Sequence, residues 1–391
     1  MKDLKQALEA RRQQHLYRQR RVIAGPQQPH ARIDGQEVLS FCSNDYLGLA
    51  NHPRVIQAFQ QAANDYGVGS GAAHLVNGHS HVHHQLEEEL AAFVGRPRAL
   101  LFSTGYMANI GTVNALLGRG DHVFEDRLNH ASLIDAGLIS QASFQRYNHA
   151  DLAALANRLK KAGDSGDKLI VADAVFSMDG DLAPLPQMAQ LAQEHNSWLM
   201  VDDAHGFGVL GEHGQGSLEH FGLNLQQVPI LIGTLGKAMG TAGAFVAGDE
   251  DLIEYLINEA RIYISTTAMP PAVAEATRTS LQLVSEESWR RAHVLALVAR
   301  FRSGAQQLGL NIMPSITPIQ PLLVGEADTA ISASEALLQQ GILVSAIRPP
   351  TVPKATARLR ITFSAAHSEE DVDRLLTVLE SIHPMLNGAL S

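Results

Sequence analysis

Cys42 is the only cysteine among 391 residues. A single thiol excludes an intrachain disulfide framework and a cysteine zinc cluster, and it fits a reducing compartment, with cytoplasm the default location. Long apolar runs are missing too: nothing approaches the roughly 20 residues that span a bilayer. The N-terminal MKDLKQALEARRQQ alternates charged and apolar residues without the apolar centre of a signal peptide, so no membrane association is expected. Positive charge is short: 30 Lys and Arg against 40 Asp and Glu leave a formal charge of −10. No overall basic field draws in nucleic acid, although 11–21 is locally basic. Internal repeats and low-complexity tracts are absent. What remains, 45% hydrophobic and 18% charged, is an ordinary globular chain long enough for two domains and a large core.

Residues 3–22 set Leu4, Ala7, Leu8, Leu16 and Val22 among many charges, which predicts an amphipathic helical arm. From about Arg98, short apolar runs alternate with amphipathic segments: Ala99–Phe102, His122–Phe124, Phe144–Tyr147, Leu169–Ala172, Trp198–Val201 and Ile230–Gly233. That order predicts an α/β fold with a mostly parallel sheet covered on both faces. Gly243–Ala247 follows the last of these after only a turn, so it is expected to run antiparallel to its neighbour. Pro270 and Pro271 punctuate the chain before a long helical pattern. Beyond about 286 the order becomes helix, strand, helix, strand, strand, helix, with strands at Gln320–Val324, Leu343–Ile347 and Leu359–Phe363, and a last helix using Val372, Leu375, Leu376 and Leu379. The expected division is an arm at 1–45, a large α/β domain at 46–285 and a smaller α+β domain at 286–391.

Open α/β sheets bind ligands beyond the C-terminal ends of their strands, and four such ends carry suitable groups. Lys237 follows Thr234-Leu235-Gly236 in a turn of small residues, where a lysine nitrogen freed of its proton can attack a carbonyl. Asp202, in VDDAHG, ends another apolar run 35 positions earlier (237 − 202). A carboxylate beside a pyridine nitrogen keeps it protonated and makes the ring an electron sink. His205 is placed to reach a ring oxygen; alone, DDAH reads equally as an acid capping a turn. Gly105 and Tyr106 pass from strand to helix, where backbone N–H groups and the helix dipole can hold a phosphate, though a plain capped helix has the same pattern. Thr234 is a further phosphate donor or a turn cap. Ser177 sits in VFSMDG, which is also simply a good turn. Acid, histidine and lysine at strand ends together point to pyridoxal phosphate.

Three segments imitate other sites. Gly236-Lys237 is not a triphosphate loop, because Ala238 stands where a magnesium-binding Ser or Thr is needed. Gly67-Val68-Gly69-Ser70-Gly71 resembles a dinucleotide loop but follows a helical pattern rather than a strand. His79, His81, His83 and His84 are dense enough to suggest a metal, and a metal-binding regulatory protein is the reading they would support. Consecutive histidines opening a helix point to different faces, however, so a solvated or partly packed helix start is expected and no metal site is assigned.

The motifs SNDYLGL (Ser43 to Leu49), RLNHASL (Arg127 to Leu133), VFSMDGD (Val175 to Asp181), VDDAHG and TLGK together resemble those of the α-oxoamine synthases, and the resemblance runs the length of the chain. These are fold-type-I pyridoxal phosphate enzymes that join an amino acid to an acyl thioester with loss of carbon dioxide. AIRPPTVP (Ala346 to Pro353) and ARLRIT (Ala357 to Thr362) are similar to the member that uses L-alanine and a pimeloyl thioester. The alternative within the family is an enzyme making 2-amino-3-oxobutyrate from glycine. The resemblance implies that Lys237 carries the cofactor covalently, that Asp202 pairs with its ring nitrogen, that His205 contacts its phenolic oxygen and that His130 lies against the ring face. Gly105, Tyr106, Ser177 and Thr234 match cofactor-binding positions. Asn44 and Arg360 match groups that hold the amino-acid carboxylate, and Arg18 and Thr351 match positions that contact substrate. It also implies a homodimer with the active site at the interface, where Thr266 and Thr267 reach the partner's cofactor phosphate. The chain departs from many relatives at Gly71-Ala72-Ala73-His74, where they carry a Gly-Ser-rich loop. Whether coenzyme A or a carrier protein bears the acyl group is left open.

Overall fold

The computed structural model describes residues 2–14 and 16–387; the outermost ends of the arm and of the C-terminal domain, 1 and 388–391, lie outside them. The apolar runs form seven strands: β1 (Arg98–Phe102), β2 (His122–Asp126), β3 (Ser143–Tyr147), β4 (Lys168–Asp173), β5 (Trp198–Asp202), β6 (Ile230–Thr234) and β7 (Ala244–Gly248). They make one sheet in the order β1-β7-β6-β5-β4-β2-β3. Only β7 runs antiparallel to its neighbours, as its short connection requires.

The strands read as continuous apolar runs because both faces are covered. Leu100, Val123, Met200 and Ile232 pack into one buried cluster with Leu133, Leu252 and Leu256 of the helices on that face. Their sequence neighbours Leu101, Phe124, Leu199 and Leu231 turn to the opposite face, into two further clusters. This period-two division is the pleat of a β-strand at work.

Register sets the ends of the strands. Asp173 and Asp202 are paired neighbours at the C-terminal ends of β4 and β5, so two acids meet side by side. Ala244 of β7 pairs with Phe102 on one side and Thr234 on the other, which brings the chain leaving β1 next to the turn that carries Lys237.

Beyond the helices Pro271–Glu286 and Trp289–Gln307, Ile319–Gly325, Ala357–Thr362 and Ser345–Ile347 form a three-stranded antiparallel sheet. The expected strand Leu343–Ile347 is split: Ile342–Leu343 pairs in parallel with Leu39 and Ser40, whereas Ser345–Ile347 pairs with Ala357–Thr362. Buried Val344 sits between the halves, within the core of the small domain, and a continuous apolar run does not reveal that its two ends serve different sheets. The arm also differs. Its helix is only Leu4–Gln13 and buries no residue; Leu4 and Val22 are each 69% exposed, so no packing extends the helix to residue 22. Residues 30–40 fold as a hairpin turned by Asp34 and Gly35, both at positive φ.

The lysine turn is pinned by Gly240. Its φ is +67°, its N–H donates to Lys237 O at 2.8 Å, and a Cβ there would stand 2.3 Å from Ala50 N. Gly240→Ala is therefore expected to destabilise the fold by about 1–3 kcal/mol from the backbone strain alone, with the close approach adding to it. A denaturant midpoint unchanged from the parent would show that the turn is not held this way.

Candidate active site

Lys237, His205, Tyr46, Asn44 and Arg360 form one hydrogen-bonded chain. Lys237 Nζ lies 3.0 Å from His205 Nε2, and His205 Nδ1 lies 2.7 Å from Tyr46 Oη. Tyr46 Oη donates to Asn44 Oδ1 at 3.2 Å, which also accepts from Arg360 Nη2 at 3.2 Å. Arg360 Nε donates to Ser177 O at 2.6 Å, tying the strand Ala357–Thr362 of the small domain to the loop after β4. With Tyr46 donating to Asn44, the tautomer that satisfies the chain carries the His205 proton on Nδ1 and leaves Nε2 to accept from the lysine. Burial, then the nearby Lys237 and Arg360 charges, hold His205 well below the ordinary histidine value, so the neutral ring is its resting form.

Burial also lowers the Lys237 pKa, while Asp202 and Asp173 pull it back up. The result is an amine more easily freed of its proton than one in water, yet positioned beside acids. Asp202 is buried, and both of its oxygens are held: Oδ2 accepts from Asn109 Nδ2 at 2.7 Å and Oδ1 from Ala204 N–H at 3.0 Å. Asp173, also buried, accepts the His130 N–H at 2.6 Å. Burial and the Asp202 charge raise its pKa well above the carboxylate range. This environment disfavours the ionised form of Asp173.

His130 caps the helix Ala131–Ile139, its Nδ1 accepting from Ser132 N–H at 3.3 Å. Its ring centroid stands 6.2 Å from that of Tyr106, so the cap also places the ring beside the β1 exit. The helix Gly105–Leu116 begins there. Thr104 Oγ1 takes the Met107 N–H and Thr104 O takes that of Ala108. The Gly105 and Tyr106 N–H groups find no protein acceptor among the described residues. A Cβ on Gly105 would meet only Thr234 Oγ1, at 3.9 Å, so an oxyanion could approach this backbone closely. Thr234 Oγ1 otherwise donates to Gly243 O at 3.2 Å. Unclaimed N–H groups at a helix start, a nucleophilic lysine and a buried acid are the donor set that a phosphorylated, aldehyde-bearing pyridine requires. The residues fit pyridoxal phosphate.

Thr267 O accepts from Ser103 Oγ at 3.4 Å, and Thr266 and Thr267 line a small recess with Ser103 and Met107, next to the same helix start. Arg18 and Thr351 share a cavity of about 360 Å³ with Arg348. None of the lysine cluster lines it, so the structure brings these two together but not to Lys237.

Tyr46, Asn109 and Asp173 belong to the cluster and were assigned no role from sequence. Asp173 carried a usable signal, an acid ending a strand as Asp202 does. Tyr46 lies inside SNDYLGL, and Asn109 had no signal. Tyr46→Phe should leave His205 Nδ1 unpartnered and lower kcat/KM about tenfold, the worth of one buried hydrogen bond. Steady-state kinetics checks this, and a variant as active as the parent would show that His205 is held without Tyr46.

Residues 36–379 match the model of the family described as aminotransferase class I and II, and the chain belongs to that family. More narrowly, it is 65% identical over 380 residues to 8-amino-7-oxononanoate synthase of Thioalkalivibrio sulfidiphilus, covering 97% of each chain. It is 60% identical to the enzyme of that name from Pseudomonas syringae pv. tomato, over 100% of this chain and 98% of the other. Serine palmitoyltransferase from S. paucimobilis, solved with PLP and myriocin bound, superposes with a TM-score of 0.94 at 29% identity, covering 99% and 100%. 8-Amino-7-oxononanoate synthase from Francisella tularensis gives 0.78 at 30%, covering 89% and 98%. The α-oxoamine synthase resemblance read from the motifs is borne out, and so is the fold-type-I architecture.

Proposed function

We propose that this chain is a pyridoxal phosphate-dependent C-acyltransferase that condenses L-alanine with a pimeloyl thioester, releasing carbon dioxide and giving 8-amino-7-oxononanoate, a step of biotin biosynthesis. The observation that carries the reading is full-length identity of up to 65% to enzymes of that name. The lysine site, with its acid and its phosphate-ready helix start, supplies the chemistry they need.

When bound, the cofactor's protonated ring accepts the electron pair left at the amino-acid Cα. Lys237 would hold the cofactor through its aldehyde, and its amine would take the proton from the amino-acid Cα and later return one. Asp202 would keep the ring nitrogen protonated, His205 would contact the phenolic oxygen, and His130 would cover the ring face. Gly105, Tyr106, Ser177 and Thr234 bind the cofactor. Arg360 and Asn44 orient the substrate carboxylate; the planar guanidinium offers a two-point contact that a lysine cannot. Arg18 and Thr351 contact substrate. In a homodimer, Thr266 and Thr267 reach the partner's cofactor phosphate. Location in the cytoplasm fits the lone cysteine and the absence of a helix long and apolar enough to cross a membrane among the described residues.

Product identification across amino acids and acyl thioesters tests the substrate pair. The expected result is 8-amino-7-oxononanoate from L-alanine and pimeloyl donor, with coenzyme A and carrier-protein forms compared side by side. Strict use of glycine with acetyl thioester would overturn it in favour of 2-amino-3-oxobutyrate formation.

A further inference from the structure

The histidine-rich segment lies outside the lysine site, and its members separate into two groups. His83 is fully engaged: Nδ1 accepts the Ser80 N–H at 3.0 Å, and Nε2 donates to Met269 O at 2.7 Å. His74 stacks on Tyr263 with ring centroids 5.0 Å apart, and its Nδ1 lies 2.8 Å from His79 Nδ1. His79, His84 and Glu87 remain.

Two local features bring these three together. On the helix His81–Phe93, positions 84 and 87 are one turn apart and share a face. Just before it, the tight turn His74–Gly78 folds back so closely that a Cβ on Gly78 would stand 2.0 Å from Ala72 O, and the chain leaving it lays His79 against that face. The ligand-capable atoms of His79, His84 and Glu87 all lie within 4.8 Å of one another. His79 Nε2 faces Glu87 Oε2 across 3.9 Å, too far for a hydrogen bond, while Glu87 Oε1 is occupied by the Leu101 N–H at 2.9 Å. They line a cavity of about 510 Å³. The nearby Arg98 is turned away to Glu254, at 3.0 Å.

We propose that His79, His84 and Glu87 form a binding site for a divalent transition-metal cation of the zinc class, with a further coordination position open to water from the cavity. Two imidazoles and a carboxylate are a donor set that zinc accepts. Bonds of about 2.0–2.1 Å in a tetrahedral site place ligand atoms roughly 3.4 Å apart, so closure around the ion asks for about 1 Å of movement. The His84 side chain, 61% exposed and paired at 3.4 Å with the exposed Glu88, supplies it by exchanging that surface partner for the ion. With His79 Nδ1–H donating to His74 Nδ1, the neighbouring ring fixes the tautomer that aims the His79 Nε2 lone pair at the ion, the usual outer support of a metal-bound histidine. This site is independent of the reaction assigned to Lys237.

The test is zinc chloride titrated into untagged, cofactor-loaded protein in competition with a chromophoric chelator. One zinc per chain is expected, with affinity falling at least ~10-fold in His84→Ala and again in Glu87→Gln. The control His213→Ala removes an exposed histidine that pairs, among the described residues, with Glu219 and should bind as the parent does. His84→Ala removes a surface side chain, and Glu87→Gln keeps an acceptor for the Leu101 N–H, so both variants should fold. Equal affinity in parent, His84→Ala and Glu87→Gln, or no competition by the parent at all, would overturn the proposal.

Discussion

Lys237→Ala is expected to lower turnover by at least ~10³-fold, about 4 kcal/mol of barrier. In the proposed reaction this position supplies both the covalent hold on the cofactor and the proton transfer at Cα, and its neighbours Arg360 and His205 carry no amine to replace it. Reduction with borohydride gives a readout that does not depend on rate. In the parent, the peptide containing residue 237 gains the mass of the reduced cofactor; in the variant it should not. A variant that turned over at the parent rate, with the label on another residue, would remove Lys237 from the chemistry. Because burial is the first cause of the lysine's depressed pKa, the amine is available at lower pH than a surface lysine would allow.

Asp202→Asn should cost ~10²-fold or more in kcat, the ~2.7–4 kcal/mol typical of losing one preorganised electrostatic partner. The geometry makes the substitution worse than a loss of charge. Asn109 Nδ2–H and Ala204 N–H each donate to a different Asp202 oxygen. An amide has one oxygen, so its NH2 must face one of those donors, leaving it unsatisfied at about 1–3 kcal/mol. Asp202 is also the larger of the two carboxylate influences that raise the Lys237 pKa. Its removal should therefore move the pKa of the free lysine further down in the cofactor-free protein. Parent-like kcat in Asp202→Asn would show that the ring does not need this acid.

Much of this was legible in one dimension. The runs Leu169–Ala172, Trp198–Val201 and Ile230–Gly233 announced buried parallel strands because a strand covered on both faces has no polar side to alternate with. The short link to Gly243 fixed the antiparallel sense of the last strand. His130 shows how a local reading stays incomplete: it is a helix cap, and the same cap sets its ring next to Tyr106. The split at Val344 was invisible, since hydrophobicity reports burial and not which sheet a residue joins.

The histidines mark the same boundary from the other side. Helical spacing correctly separates His83 from His84, but it says nothing about His79, which a tight turn outside the helix brings back to Glu87. Composition and motif thus determined the α/β class, the cofactor chemistry and the identities of lysine, acid and histidine at strand ends, because those depend on residue type and local period. Only the tertiary structure decided that Asp173 stands beside Asp202, that Asn109 holds Asp202, and that Tyr46 and Asn44 link His205 to Arg360. Those contacts join residues up to 316 positions apart, and sheet register, not local sequence, sets which of them meet.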